Sequence, residues 1–317
     1  MDRVARHLSR GEFFVCLHAS TMVDSSQDMY RNEGPDQNRE RKASMIDTHT
    51  HLGQLLWDDP GLKPYQLLKW MDRNKIDEAV VMAVAVPAEL DFFVTTKELL
   101  QMTKRHRDRL HPLCAVDPRH RDPGRFDPYP ILAHWMDQGC VGYGENLCGL
   151  PVDDPMQQLV YEACDKLKLG IVMHFDSWIN RDKPGLPGFE KMLATYKNVK
   201  FIGHSPHFWR EISGKVDPKV GYSGGPVLPG GRLDVLFGKY KNLYADLSAG
   251  SGFNGITRDP EFGLGFLKRW KSRLMFATDY LRVGQETPII EHIRNVKISK
   301  DAFERITRKN AQKVFKL

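Results

Sequence analysis

The chain has 317 residues, a net charge of +6 and 41% hydrophobic residues. This size allows one large α/β domain or two small ones, and the composition is sufficient to build an apolar core. No dense block of Lys or Arg occurs, so the charge does not point to nucleic acid or to an anionic membrane surface. No apolar run approaches the ~18 residues that a membrane-spanning helix needs.

The five cysteines are scattered and form no Cys-x-x-Cys pair. They are Cys16, Cys114, Cys140, Cys148 and Cys164. An odd, dispersed set is typical of reduced thiols in a cytoplasmic enzyme rather than of a disulfide framework. The apolar run at residues 13–17 is short for a signal peptide and lacks a clear cleavage pattern, so we expect a cytoplasmic location.

The first part of the chain differs in composition from the rest. Residues 20–44 are rich in Asn, Gln, Ser, Asp, Gly and Pro and contain few apolar side chains. Such a segment buries too little apolar surface to become ordered alone. We therefore predict a disordered extension over residues 1–44 and a folded domain over residues 45–317.

Short apolar segments alternate with helical patterns through the whole of that domain. The predicted strands span residues 45–49, 78–85, 111–117, 140–145, 170–175, 199–204, 242–247 and 273–279. The predicted helices span residues 65–74, 89–105, 127–138, 155–169, 189–196, 232–239, 261–271 and 286–295, and a last amphipathic helix begins near residue 301. Asp154 and Ser299 are placed to cap two of these helices.

Eight strands, each followed by a helix after a short connection, predict a (β/α)8 TIM barrel with a C-terminal closing helix. The alternative with the same alternation is an open, doubly wound parallel sheet.

Residues that commonly bind metals stand at the carboxyl ends of five predicted strands. They are His49 and His51, then Glu145, His174, His204 and Asp279. Each one alone has an ordinary structural explanation, such as a hydrogen-bonded core histidine or a helix cap. Barrel enzymes, however, gather the carboxyl ends of all their strands at one face. The set together therefore predicts a metal site.

The pieces that carry these residues resemble the amidohydrolase superfamily, and most closely its amidohydrolase-related (amidohydrolase 2) branch of metal-dependent TIM-barrel hydrolases. The matching pieces are Ile46-Asp47-Thr48-His49-Thr50-His51, Gly144-Glu145, Met173-His174, Gly203-His204, Ala277-Thr278-Asp279-Tyr280 and Asn310-Ala311. The resemblance covers about residues 44–317.

The resemblance implies how the six residues divide between one or two metal ions. By it, His49, His51, His174 and Asp279 match one site, and His204 matches either a ligand of a second ion or a free acid/base. Glu145 stands where many members have a carboxylated lysine and where TatD-type nucleases have a glutamate that bridges two metals. Imidazole and carboxylate ligands favour zinc, with Mn, Fe and Ni as alternatives.

Three functions remain open at this stage. The first is hydrolysis, by metal-activated water, of a C–O or C–N acyl bond in a lactone, ester or amide of a small carboxylate-bearing molecule, with Asp279 and His204 as catalytic residues. The second is non-oxidative decarboxylation of an aromatic or unsaturated acid, in which His204 acts on carbon. The third is a barrel that binds a ligand without catalysis, which loss of a metal ligand would favour.

Loop residues above the strand ends are candidates for contact with a small-molecule substrate. We single out Trp178, His207, Arg258 and Arg282, because arginines above a metal suit a substrate carboxylate; for each arginine, solvated loop charge is the simpler explanation. Gly250-x-Gly252-x-x-Gly255 matches a dinucleotide fingerprint, but we expect a loop there and not the helix that the fingerprint requires. The resemblance also implies a homodimer.

Overall fold

The computed structural model describes residues 44–88, 90–120 and 123–317. The predicted extension therefore lies outside the described residues, apart from Ser44. Eight parallel strands form the centre of the described part. They are β1 (Ile46–His51), β2 (Glu78–Met82), β3 (Leu110–Leu113), β4 (Tyr143–Asn146), β5 (Gly170–His174), β6 (Lys200–His204), β7 (Leu243–Asp246) and β8 (Leu274–Met275).

The strands form two runs, β1-β2-β3 and β4-β5-β6-β7-β8, which backbone bonds join at both sides. Between β3 and β4, Cys114 N donates to Gly142 O at 3.0 Å. Between β1 and the segment after β8, Thr48 N donates to Phe276 O at 3.0 Å, and the bridge from Thr50 to Tyr280 is also parallel. These bonds close the ring, so the TIM-barrel prediction is confirmed and the open sheet is excluded.

Helices surround the barrel in the predicted alternation. They are α1 (Pro64–Arg73), α2 (Thr96–Thr103), α3 (Tyr129–Asp137), α4 (Pro155–Leu167), α5 (Pro187–Thr195), α6 (Pro206–Trp209), α7 (Arg232–Lys239), α8 (Ala249–Thr257), α9 (Pro260–Arg269), α10 (Ile289–Asn295), α11 (Lys300–Glu304) and α12 (Asn310–Phe315), with a π-helical turn at Arg305–Lys309. Both predicted caps are present, since Asp154 accepts from Met156 N at 2.8 Å and Ser299 accepts from Ala302 N at 3.2 Å.

Two predicted boundaries were wrong for identifiable reasons. Helix α2 begins at Thr96 rather than near residue 89, because Val94 pairs with Val84 as extended chain and Thr95 then caps the helix with Glu98. Helix α4 ends at Leu167, before the predicted stop at Gly170, because the next residue adopts left-handed backbone with φ of 57°.

The segment after β7 is the clearest disagreement, because the expected loop is helix α8. Its glycines permit close approach: a Cβ on Gly252 would lie 2.6 Å from the Leu247 carbonyl carbon, and one on Gly255 would lie 2.8 Å from the Trp209 ring. Tertiary packing therefore outweighs the low helix propensity of glycine. The glycines lie within the helix rather than in the turn before it, so they do not form the cradle of a dinucleotide fingerprint.

The core has two parts, one between the helices and the barrel and one inside the barrel. The inner part contains apolar side chains from seven of the strands and from α12, namely Ile46, Val80, Met82, Leu113, Val172, Ile202, Tyr244, Met275, Ala311, Val314 and Phe315. A Cβ on Gly170, the first residue of β5, would meet Val314 at 2.9 Å. The closing helix therefore fills the amino-terminal end of the barrel and leaves the carboxyl end for a site.

The described cysteines are consistent with reduced thiols. All four of them, Cys114, Cys140, Cys148 and Cys164, are free and buried. Among the described residues, no helix is long and apolar enough to span a membrane.

Candidate metal centre

The carboxyl ends of five strands bring the predicted metal ligands together inside the barrel mouth. His49 and His51 come from β1, Glu145 from β4, His174 from β5 and His204 from β6, and each of these residues is no more than 6% exposed. Asp279 lies just after β8, and its side chain is 20% exposed. Asp279 is thus the member of this group that is most open to a molecule entering the barrel.

Register and close packing fix the positions of the two histidines on neighbouring strands. His174 of β5 lies directly opposite His204 of β6 in the ladder, and their ring centroids are 5.3 Å apart. The preceding residue must be glycine, because a Cβ on Gly203 would lie 2.1 Å from the ring of Phe208. Glycine at position 203 therefore lets β6 pack closely against Phe208, and this packing fixes the position of the His204 imidazole.

Four donor atoms face a common point between β1, β4 and β8. His49 Nε2 lies 3.4 Å from Asp279 Oδ1 and 3.6 Å from Glu145 Oε2, and His51 Nε2 lies 3.2 Å and 3.5 Å from the same two oxygens. A tetrahedral zinc site with bonds of about 2.0–2.1 Å has edges of about 3.3–3.4 Å. His49 Nε2 is buried and has no hydrogen-bond partner. The residues present therefore fit a divalent metal ion.

The cluster has two halves: His49, His51 and Asp279 form one, and His174 and His204 form the other. The second oxygen of Glu145 faces the second half. Its Oε1 lies 2.8 Å from His174 Nδ1 and 3.7 Å from His204 Nε2. Glu145 thus directs one oxygen to each of two groups of histidines. The family resemblance grouped His174 with His49, His51 and Asp279, whereas in the structure the donor atom beside those three residues is Glu145 Oε2.

Two further carboxylates support the histidines from behind, and the sequence analysis missed both. Asp246, at the carboxyl end of β7, contacts His49 Nδ1 at 2.9 Å and His204 Nδ1 at 3.0 Å. Asp176 contacts His174 Nε2 at 3.1 Å. The position of Asp246 at a strand end was the available signal, and the same criterion that found Glu145 identifies it.

Electrostatics favour positive charge at the centre of this cluster. Burial by itself would raise the pKa of Glu145, but the hydrogen bond from His174 and the charge of the nearby His49 and His174 hold it well below its usual value. The pKa values of Asp246 and Asp279 are also lowered, against burial, by neighbouring histidines. Burial lowers the pKa of His49, but Asp279 and Asp246 raise it well above normal. Buried carboxylates that stay ionised need a compensating charge, which protons or a cation can supply.

The four predicted substrate contacts lie at different places. His207 lies beside the segment that follows β5: its backbone N donates to Phe175 O at 3.0 Å, and burial, with Arg210 nearby, lowers its pKa to about 4. Trp178 is 58% exposed on the segment after β5. Arg282 is half-buried, three residues after Asp279.

Arg258 lies beside a separate cavity. It follows α8, and its Nη1 donates to Gly224 O at 3.3 Å. The cavity has a volume of about 460 Å³ and is lined by residues between 213 and 228 together with Arg258, but by none of the six predicted ligands. The structure therefore does not bring Arg258 to the metal candidates.

No family model matches the chain, and no curated protein matches its sequence. Solved structures match it at low identity. An amidohydrolase from Burkholderia multivorans with bound zinc has 13% identity and a TM-score of 0.60, over 87% of this chain and 100% of that chain.

Two other similar structures are named for two different reactions, a hydrolysis and a decarboxylation. A probable 2-pyrone-4,6-dicarboxylic acid hydrolase from Acinetobacter baumannii, with citric acid bound, has 15% identity and a TM-score of 0.57, over 86% of this chain and 100% of that chain. A 5-carboxyvanillate decarboxylase from Sphingomonas paucimobilis has 16% identity and a TM-score of 0.53, over 87% of this chain and 99% of that chain. At such identities these matches establish a shared fold.

Proposed function

We propose that this chain is a metal-dependent hydrolase of the amidohydrolase superfamily that cleaves a C–O or C–N acyl bond in a small carboxylate-bearing lactone, ester or amide. The observation that carries the proposal is the set of four donor atoms from His49, His51, Glu145 and Asp279, whose four histidine–carboxylate separations of 3.2–3.6 Å match the edges of a metal polyhedron. The zinc-containing amidohydrolase and the pyrone dicarboxylic acid hydrolase support it as structural neighbours.

Zinc is the metal we propose first, with Mn, Fe and Ni as alternatives. His49, His51, Glu145 and Asp279 would hold one ion, and Glu145, His174 and His204 would hold a second where two are bound. When bound, such an ion supplies Lewis acidity that lowers the pKa of water to about 7 and polarises an acyl oxygen.

Residues of the chain itself would carry out the proton transfers and exclude water. Asp279 presents Oδ1 to the two histidines of β1, which leaves Oδ2 to accept a proton from the attacking water and to return it to the leaving oxygen or nitrogen. Its lowered pKa keeps this carboxylate ionised at neutral pH, as a general base requires. The barrel wall surrounds the buried histidines and excludes bulk water from them.

Decarboxylation of an aromatic or unsaturated acid is the second candidate. It is favoured by the neighbouring decarboxylase structure and by His204, a buried imidazole that Asp246 and Ser248 hold at 3.0 Å and 2.8 Å. In this reaction His204 would deliver a proton to the carbon that loses the carboxyl group. A cytoplasmic location and a homodimer remain part of the proposal.

One experiment tests the proposal and separates its two candidates. The purified protein is assayed, with zinc and after treatment with a chelator, on a panel of dicarboxylic lactones and of hydroxybenzoic acids. We expect release of acid from a lactone, loss of that activity with the chelator and its recovery with zinc. Release of CO2 with no lactone opening would favour the decarboxylase, and activity that is unaffected by complete metal removal would overturn both.

A further inference from the structure

Asp246 occupies a central position that neither the metal set nor the proposed chemistry explains. It is completely buried, and its two oxygens are divided between two imidazoles: Oδ2 lies 2.9 Å from His49 Nδ1, and Oδ1 lies 3.0 Å from His204 Nδ1. The two histidines come from strands on opposite sides of β7 and β8, yet their ring centroids are only 4.4 Å apart.

The short distances at Asp246 are those of hydrogen bonds. Nitrogen–oxygen hydrogen bonds have lengths of about 2.9–3.0 Å, whereas the edges of a tetrahedral zinc site are about 3.3–3.4 Å. The contacts of Asp246 fall in the first range. Those of His49 Nε2 with Glu145 and Asp279, at 3.6 Å and 3.4 Å, do not. The two nitrogens of one ring therefore have different functions.

An ionised carboxylate accepts hydrogen bonds and donates none. Both Nδ1 atoms that face Asp246 must therefore carry their protons, and each neutral ring must then keep its lone pair on Nε2. For His49 that nitrogen faces Glu145 Oε2, and for His204 it faces Glu145 Oε1 at 3.7 Å. One carboxylate thus selects the metal-binding tautomer of a histidine in each half of the cluster.

Asp246 is itself held firmly. Ser248 Oγ donates to Asp246 Oδ1 at 2.7 Å and lies 2.8 Å from His204 Nδ1. The indole nitrogen of Trp209 donates to the backbone oxygen of Asp246 at 3.1 Å. Glu145 thus faces the Nε2 side of the His49 and His204 rings, and Asp246 faces their Nδ1 side. Each carboxylate uses one oxygen for each ring.

We propose that Asp246 is the positioning residue that holds His49 and His204 together with Nδ1 protonated and Nε2 directed to the metal. This inference rests on the proposed function, because it assumes that the cluster binds a metal. It predicts that loss of Asp246 impairs both halves of the cluster. Loss of Asp176, which contacts His174 at 3.1 Å, impairs one.

The test compares zinc-loaded wild-type protein with Asp246→Asn, Ser248→Ala and the matched control Asp176→Asn. Zinc affinity is measured by competition with a chelator, and the protonated ring nitrogen of each histidine is assigned by 15N NMR. In the wild type we expect protons on Nδ1 of His49 and His204. Asp246→Asn should lower zinc affinity roughly 10- to 100-fold and remove at least one of these two signals, because an amide offers one acceptor and one donor.

The control variants make the outcome specific. Ser248→Ala should change the His204 signal alone, and Asp176→Asn should leave both signals in place. A wild-type protein with the proton on Nε2 of either ring would overturn the inference, even where Asp246→Asn fails to fold. So would an Asp246→Asn protein with both Nδ1 protons and unchanged zinc affinity. Failure of every substrate, with zinc affinity and NMR signals as expected, would overturn only the proposed function.

Discussion

Two groups of histidine and carboxylate lie at opposite ends of the barrel. At the amino-terminal end, Glu78 of β2 contacts His111 of β3 at 2.7 Å and Arg308 at 2.7 Å. An arginine there balances the carboxylate, and each side chain is at least 14% exposed. At the carboxyl end, Glu145 and Asp246 are buried, and the ion pairs described for them are with histidines.

The difference lies in how the charge of each group is balanced. A carboxylate with an arginine and a histidine has its charge and its hydrogen bonds satisfied within the chain. A buried group with several carboxylates, and with His49 Nε2 lacking a hydrogen-bond partner, needs a compensating positive charge, and we propose that a cation supplies it. Residue types alone do not distinguish the two groups; the surrounding charge and burial do.

The largest effect should come from replacing both histidines of β1. In His49→Asn/His51→Asn we expect activity to fall on the order of 10³-fold or more, because the groups that hold the cation are removed. The wild type should gain about 2.7 kcal/mol of stability at a zinc concentration of 100 times Kd, and the variant should gain none. Thermal melts with and without zinc measure this.

The matched control is His111→Asn at the other end of the barrel, which also separates a histidine from a carboxylate. It should keep the zinc-dependent rise in Tm. A double variant of β1 that is still stabilised by zinc would show that the two ends do not differ as described.

An intermediate effect is expected from Glu145→Gln. The substitution keeps the size of the side chain but removes the charge that faces both groups of histidines. We expect zinc affinity to fall by at least about 100-fold, because loss of a residue that only supports a ligand already costs roughly 10- to 100-fold. Metal analysis of the purified variant should also show fewer ions per chain where the wild type holds two. An unchanged single ion with unchanged affinity would restrict Glu145 to a structural role.

The smallest effect is expected from Glu78→Gln. The change weakens partly exposed contacts to His111 and Arg308, so we expect a loss of about 1 kcal/mol in the free energy of unfolding and a fall of about 2–4 °C in Tm. Zinc affinity should stay unchanged. A large loss of zinc affinity in this variant would mean that the two ends of the barrel are coupled.

Much of this arrangement could be predicted from the sequence because a barrel brings all strand ends to one face. The apolar segments predicted the strands, and reading their last residues found His49, His51, Glu145, His174 and His204. Asp246 was missed, although it ends β7 and meets the same criterion that found Glu145. Its partners come from β1 and β6 and are known only once the ring is closed.

The glycine-rich segment after β7 could not be predicted for a different reason. Glycine lowers helix propensity, and the sequence does not reveal that Gly255 must make room for the Trp209 ring, 46 residues earlier. The start of α2 was predictable in principle, since Thr95 and Glu98 form a visible capping pair. The sequence likewise did not reveal which oxygen of Glu145 faces which histidines, because side-chain rotation is set by packing.

The closure of the ring between β1 and the segment after β8 has a consequence for biosynthesis. Thr48 contacts Phe276 across 228 residues, and Asp47 contacts Thr278 across 231. At about 5–20 residues per second, the ribosome needs roughly 10–50 s to make the chain between them. During that time the histidines of β1 lack the partner that Asp279 provides. The ring, and with it this cluster, can therefore close only after the segment that follows β8 has been made.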